Sequence, residues 1–309
     1  MASKALPLQI HRLSFKAMGS SCELVLAASS QKEADKLGRG AIDEVLRIER
    51  KYSRYTKDSI IAKINQQAGQ GAVQCDDETC ALFKFASEIF DKSDGLFDIT
   101  SGVLRQAWDF QKPEVPSVLN LRHLLPLVGW QKVVLQDQRI ALPLTGMEVD
   151  LGGFGKEYAA DRAAQVLKQN GVTSGYVNLA GDMRFLGPKP SGEPWMIGIQ
   201  DPRQPGQVVA TLPMMQGGLA TSGDYERYFE LNGQRYCHVL NPKTGMPVRF
   251  WRSVSVTAPA AVVSGCTTTM AMLKEEDGLA FLQATGFDFF AIDHTGKVHM
   301  RQETQAVLN

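Results

Sequence analysis

The chain has 309 residues, with 33 Lys plus Arg balanced by 33 Asp plus Glu. That length buries a sizeable core in one large domain or two lobes, and 44% hydrophobic with 21% charged residues is ordinary for a folded soluble protein. Zero net charge argues against a nucleic-acid binder or a protein built to sit on an anionic membrane, since both normally carry a basic excess.

In chain order, "LSFKAMGSSCELVLA" reads as strand, turn and strand, and residues 31–52 carry helical spacing through Ala34, Leu37, Ala41, Val45 and Ile48. A second helix is predicted over about 77–92, opened by Asp76–Asp77 as an N-cap. "KPEVPSVLN" is a Pro-rich connection, and a lobe boundary is expected near 115–130. "VVLQDQRIALP" resembles a hairpin, and "KEYAADRAAQVLKQNG" is a helix closed by Gly171. Short strand-like runs fill 175–187, 195–200, 207–212, 226–231, 235–240 and 252–257. Strands in hairpin succession interrupted by helices predict an α+β fold with mixed, largely antiparallel sheets and flanking helices. The N-terminus has no apolar leader and no stretch reaches a membrane span, so a soluble, cytoplasmic protein without stable membrane insertion is expected. Five scattered cysteines fit reduced, buried thiols better than a disulfide framework.

Three stretches carry chemistry. In "VDLGGFGKEYAADRAA", Asp150 ends a strand, glycines form a turn, and Lys156 opens a helix. Such a turn either holds phosphate on free helix N–H groups or simply packs a strand tightly against a helix. It is not a P-loop, because Glu157 stands at the Ser/Thr position. In "LATSGDYERYFELNGQRYCHVLNPKTGMP", Thr221 to Asp224 read as a polar turn, and His238 follows a strand at a rigid turn. There it serves either proton transfer or structure. In "SDGLFDITSGVLRQAWDF", Asp98 precedes Thr100 and Ser101 as an N-cap or a site residue. A fourth stretch, "VVSGCTTTMAML", places three threonines where an apolar helix begins, although threonine is a mediocre helix former.

"AMGS", "ERKYSRYTKDSIIAKIN", "GLFDIT…W", "VDLGGFGKEYAAD", "VNLAGDMRFLG", "ATSGDYERYF" and "RYCHVLNPKTGMP", in this order, resemble the ApbE family of FAD:protein FMN transferases. The resemblance implies one ApbE-like domain over 1–309 with two lobes around a flavin-binding cleft. It implies that Met18, Tyr55, Leu96-Phe97-Asp98, Asp150, Lys156, Val239 and Leu240 line that cleft, with Ser222 close by. His238 matches the family's acid/base histidine, with Lys156 adding charge at the phosphates. FAD is the implied substrate, and an acceptor flavoprotein carrying a target threonine is the implied partner. A magnesium ion at the pyrophosphate would be held by the carbonyl of Gly153, an aspartate, and a threonine four residues beyond it. The last two positions fall on Gly265 and Thr269, or in the neighbouring register on Ser264 and Thr268. Neither register supplies the carboxylate, which predicts a weakened magnesium site. Ala180 replaces the first glycine of the family's Gly-Gly-Asp turn, and Glu157 stands where a glycine is common. Two alternatives follow from these departures: an FAD-binding relative without transferase activity, or a pyrophosphatase giving FMN and AMP.

Overall fold

The computed structural model describes residues 7–301 together with strand residues 307–308. β1 (Gln9–Ala17) and β2 (Ser20–Ala28) pair antiparallel down to Ala17↔Ser20, leaving Met18 and Gly19 as a two-residue turn. Both turn residues have positive φ (52° and 69°), which matches the turn to the twist of its strands. α1 (Gln31–Tyr52) starts where Ser30 accepts the N–H of Glu33, and it buries Ala34, Ala41, Val45 and Ile48 as their spacing predicts. α2 (Ile60–Gln66), β3 (Ala72–Gln74) and α3 (Asp77–Lys92) follow, the last capped by Asp76 through the Thr79 N–H at 3.0 Å. A 3-10 turn over Ser101–Gln106 and α4 (Val118–Leu124) lead to the predicted hairpin, β4 (Val134–Gln136) with β5 (Arg139–Ala141).

α5 (Gly155–Gln169) ends before Gly171, whose φ of 85° is the left-handed cap expected there. The run predicted as one strand over 175–187 is two, β6 (Gly175–Leu179) and β7 (Asp182–Gly187). They are joined by a tight turn at Ala180–Gly181 with φ of 57° and 97°. β8 (Trp195–Gln200), β9 (Val208–Met214) and β10 (Gly217–Gly223) come next, then the hairpin β11 (Tyr228–Leu231) and β12 (Gln234–Cys237). β13 (Trp251–Ala258), α6 (Ala261–Leu273), α7 (Gly278–Thr285), β14 (Asp288–Asp293), β15 (Val298–Met300) and β16 (Val307–Leu308) complete the chain.

The central sheet has the order β1-β2-β6-β7-β10-β13-β14-β15. Among the described residues every strand pair is antiparallel, so the expectation of a mixed sheet gives way to a purely antiparallel one. β2 shows why both faces of the sheet are covered. Leu24 and Leu26 join the cluster that includes Val45, Ala160, Ala163 and Met272 from the helices, whereas Val25 joins Trp195 and Leu212 from β8 and β9. Helices thus cover one face and a small sheet the other.

Ser222 belongs to β10, not to the polar turn that its Thr-Ser-Gly-Asp setting suggested. β10 is central, between β7 and β13, and its small residues answer to α6. A Cβ at Gly218 would meet the Ala261 nitrogen at 2.3 Å, so only glycine lets the helix approach. With a period of two, Gly218, Ala220 and Ser222 share the face toward α6.

Candidate active site

The glycine-rich turn between Asp150 and Lys156 is built from three clamps. The Asp150 N–H donates to the Ile99 carbonyl at 2.8 Å, and its carboxylate accepts the Gly152 N–H at 2.8 Å. The same carboxylate pairs with Arg105 and lies 3.6 Å from Arg54 Nη1. Phe97 presses on the turn so closely that a Cβ at Gly153 would meet its ring at 2.8 Å. α5 then begins at Gly155 after Phe154, with no side-chain cap, and the Gly155 N–H donates to the Leu151 carbonyl at 2.7 Å.

Lys156 stands at that helix start and pairs with Asp182, which the Ala180–Gly181 turn delivers at the head of β7. Burial works against the lysine charge, but the carboxylates of Asp182 and Glu157 outweigh it and hold Lys156 above its ordinary range. Glu157 is different. Its Oε2 is buried without a hydrogen-bond partner, and burial, reinforced by Asp182, raises its carboxyl well above the usual carboxylate range.

α6 has no capping side chain of its own. Asp161 of α5 caps it, accepting the N–H groups of Ala261 and Val262 at 2.9 Å each, and Arg184 sits 3.3 Å from that carboxylate. The threonines separate by role. Thr267 donates back to the Val263 carbonyl at 2.7 Å and Thr268 to the Gly265 carbonyl at 2.9 Å, the local bonding that makes threonine tolerable inside a helix. Thr269 alone of the three is half-exposed, with its hydroxyl 3.3 Å from Ser222 Oγ, which also lies 2.8 Å from Thr268 Oγ1. Ser264 is fully buried and donates back to the Ala260 carbonyl at 3.2 Å.

His238 follows β12, with its backbone N–H donating to the Arg227 carbonyl at 3.0 Å. Burial pushes its imidazole down to about 4, and the positive charges of Arg227, Arg105 and Lys156 push the same way. The ring is therefore neutral at physiological pH, and its buried Nδ1 has no partner. The hairpin is carried by an aromatic stack: Phe229 and Tyr236 lie 5.1 Å apart, and Trp108 lies 6.3 Å from Phe229. Trp108 also donates its indole N–H to the Gly245 carbonyl at 2.8 Å, clipping the loop beyond His238.

The remaining predicted residues take distinct positions. Met18 donates its N–H to Glu49 at 2.7 Å, and Cys22 nearby feels the charges of both Lys156 and Glu49, so this turn lies at the Lys156 end of the sheet. Tyr55 is 76% exposed with the Arg54 guanidinium 5.0 Å from its ring centre. Leu96 is half-buried beside buried Phe97. Asp98 is buried with both oxygens occupied, accepting from the Thr100 N–H at 2.8 Å and the Trp130 N–H at 3.0 Å, so it holds two loops together. Val239 and Leu240 are half-buried, and the Leu240 backbone bridges to Pro247. Among the described residues no three His, Cys, Asp or Glu side chains group to hold a metal.

Arg54 and Arg105 were not picked out by motif reading, although they join the Asp150 turn. The available signal was their position, Arg54 beside Tyr55 and Arg105 within the segment after Asp98. An uncapped helix start, a charged lysine, two arginines and a neutral histidine are the group types suited to a phosphate-bearing ligand and to proton transfer. The comparisons then place it: the profile of the ApbE family matches residues 18–291, and the chain belongs to that family. It is 27% identical over 314 residues to the FAD:protein FMN transferase of Haemophilus influenzae, covering 95% of this chain and 89% of the relative. It is 32% identical over 251 residues to that of Treponema pallidum, covering 72% and 69%. The crystal structure of the ApbE protein from Thermotoga maritima superposes with a TM-score of 0.87 at 32% identity, covering 95% of this chain and 97% of that one.

Proposed function

We propose that this protein moves the FMN half of FAD to a threonine hydroxyl of an acceptor protein and releases AMP. Neutral His238, within the fields of Arg105 and of Lys156 at the start of α5, carries this reading. The threonine oxygen forms a bond to the FMN-side phosphorus, and the phosphoanhydride bond to AMP breaks. His238 takes the hydroxyl proton, which requires the unprotonated ring that burial maintains. Lys156, held charged by Asp182, and Arg105, held by Asp150, neutralise phosphate charge as it redistributes. Met18, Tyr55, Leu96, Phe97, Asp150, Ser222, Val239 and Leu240 line the cleft for the dinucleotide, and Asp98 positions its floor.

Magnesium fits the donors of this region in type, since the Gly153 carbonyl, the Thr269 hydroxyl and a buried carboxyl oxygen without a partner are all hard oxygens. When bound, the ion would supply further charge neutralisation at the pyrophosphate. The five cysteines are free and buried, the state a reducing compartment maintains, which supports a cytoplasmic enzyme and acceptor. No helix among the described residues is long and apolar enough to cross a membrane.

The test mixes the purified protein with FAD, magnesium and a domain carrying an acceptor threonine, then measures acceptor mass and released AMP. FMN mass on the acceptor with equal AMP supports the transferase, and His238→Ala should abolish both while leaving FAD affinity within about threefold. AMP without the mass gain indicates a pyrophosphatase, and intact FAD sinks both enzymatic readings.

A further inference from the structure

The packing of α5 on α6 leaves one buried group unexplained. Glu157 is only 7% exposed, and its Oε2 has no hydrogen-bond partner. Its Oε1 occupies the space over Gly265 so fully that a Cβ built there would meet it at 2.2 Å, and Cγ at 2.6 Å. The absent side chain at 265 is therefore what admits this carboxyl between the helices. Lys156 does not satisfy it, because that amine pairs with Asp182. Burying a carboxyl with an idle oxygen carries a desolvation cost that an apolar side chain would avoid, so a ligand is the economical reason to keep it.

The surroundings say which ligand. Gly153 precedes Glu157 by four residues at the start of α5, and Thr269 follows Gly265 by four residues on α6. The spacing on α6 is about one helical turn, whereas Gly153 lies in the turn just before α5. Ser222 stands 3.3 Å from the Thr269 hydroxyl on the adjoining strand. A carboxyl, a carbonyl and hydroxyls, with no sulfur or imidazole among them, are the donors of a hard divalent cation that takes its other ligands from phosphates and water.

We propose that Glu157 supplies the anionic ligand of a magnesium site shared with the Gly153 carbonyl and the Thr269 hydroxyl. Gly265 and Glu157 are then two halves of one exchange: the carboxylate that the family pattern places on α6 is provided by α5, through the gap that glycine leaves. The inference rests on the flavin-transfer reading of the same cleft.

The test titrates Mn2+, a paramagnetic stand-in for magnesium, into FAD-loaded protein without acceptor and follows free Mn2+ by electron paramagnetic resonance. Glu157→Gln keeps the shape and should weaken Mn2+ binding about tenfold or more, with FAD affinity in metal-free buffer unchanged. Gly265→Asp alone should also bind poorly, since its new side chain must contend with Glu157. The double exchange Glu157→Gly with Gly265→Asp should return Mn2+ affinity to within about threefold of the parent. Wild-type affinity in Glu157→Gln overturns the proposal, and so does failure of the double exchange to recover binding in a variant that melts cooperatively. Mn2+ binding that depends on Glu157 in a protein that transfers no FMN leaves this site standing and removes only the transferase reading.

Discussion

Replacing Asp161 tests how α6 is held at the cleft. Asp161→Ala removes the acceptor of two backbone N–H groups, each at 2.9 Å, and strips Arg184 of a carboxylate 3.3 Å away. Loss of a helix cap costs about 1–2 kcal/mol. Orphaning a second, part-buried N–H adds about 1 kcal/mol or more, for a total near 3 kcal/mol. Unfolding entropy of about 2.1 cal/mol/K per residue gives roughly 0.65 kcal/mol/K for 309 residues. The melting temperature should therefore fall by about 5 °C, read by differential scanning calorimetry at neutral pH. Asp161→Asn keeps one acceptor oxygen and should lose about half as much. A melting temperature for Asp161→Ala within about 1 °C of the parent would refute the claim that α5 caps α6.

Three further outcomes follow from the site. With the His238 imidazole pushed down to about 4 by burial, kcat/KM should stay level from about pH 7 to about pH 5 and fall only below that. Because the unfolded histidine takes its proton nearer its ordinary value of about 6.5, its contribution to stability is complete above that pH. It is lost as the pH falls toward the folded value. A kinetic limb near 6.5 in the absence of substrate binding effects would contradict the buried, neutral ring. Gly153→Ala must displace the Phe97 ring that its Cβ would meet at 2.8 Å, and should raise the KM for FAD at least tenfold while costing about 1–3 kcal/mol in urea unfolding. Ala180→Gly relieves a φ of 57° worth about 1 kcal/mol. It loosens the unfolded chain by a similar amount, so calorimetry should find stability changed by less than about 0.5 kcal/mol.

The helices were the legible part of the sequence. α1, α3 and α5 combine a 3.6-residue apolar period with local caps at Ser30, Asp76 and Gly171, and all of that information lies within the helix and its flanks. β10 escaped because Gly-Gly-Leu-Ala-Thr-Ser-Gly has no apolar alternation; its smallness is explained only by the helix lying on it. The cap of α6 was invisible for a related reason, since Asp161 is 100 residues away along the chain. The motif residues were legible as a constellation, but their division of labour was not. Asp98, open in sequence between an N-cap and a site residue, accepts two loop N–H groups, while Arg105, which no motif singles out, joins Asp150. Gly265 and Glu157 read as two separate departures from the family pattern, and only the docking of two helices makes them neighbours.

The hairpin that ends at His238 has a consequence for how the protein breathes. β11 and β12 form a two-stranded sheet apart from the eight-stranded one, fastened by aromatic rings and the Trp108 clip. A lone two-stranded ribbon is marginal in water without such packing. Its opening therefore need not await unfolding of the central sheet. Amide exchange at Phe229 and Tyr236 should thus run faster than at Val254 or Val256 and slow when the cleft is filled. His238, the proposed proton acceptor, rides on the part of the molecule that can let go first, so readiness for catalysis and global stability are separate quantities.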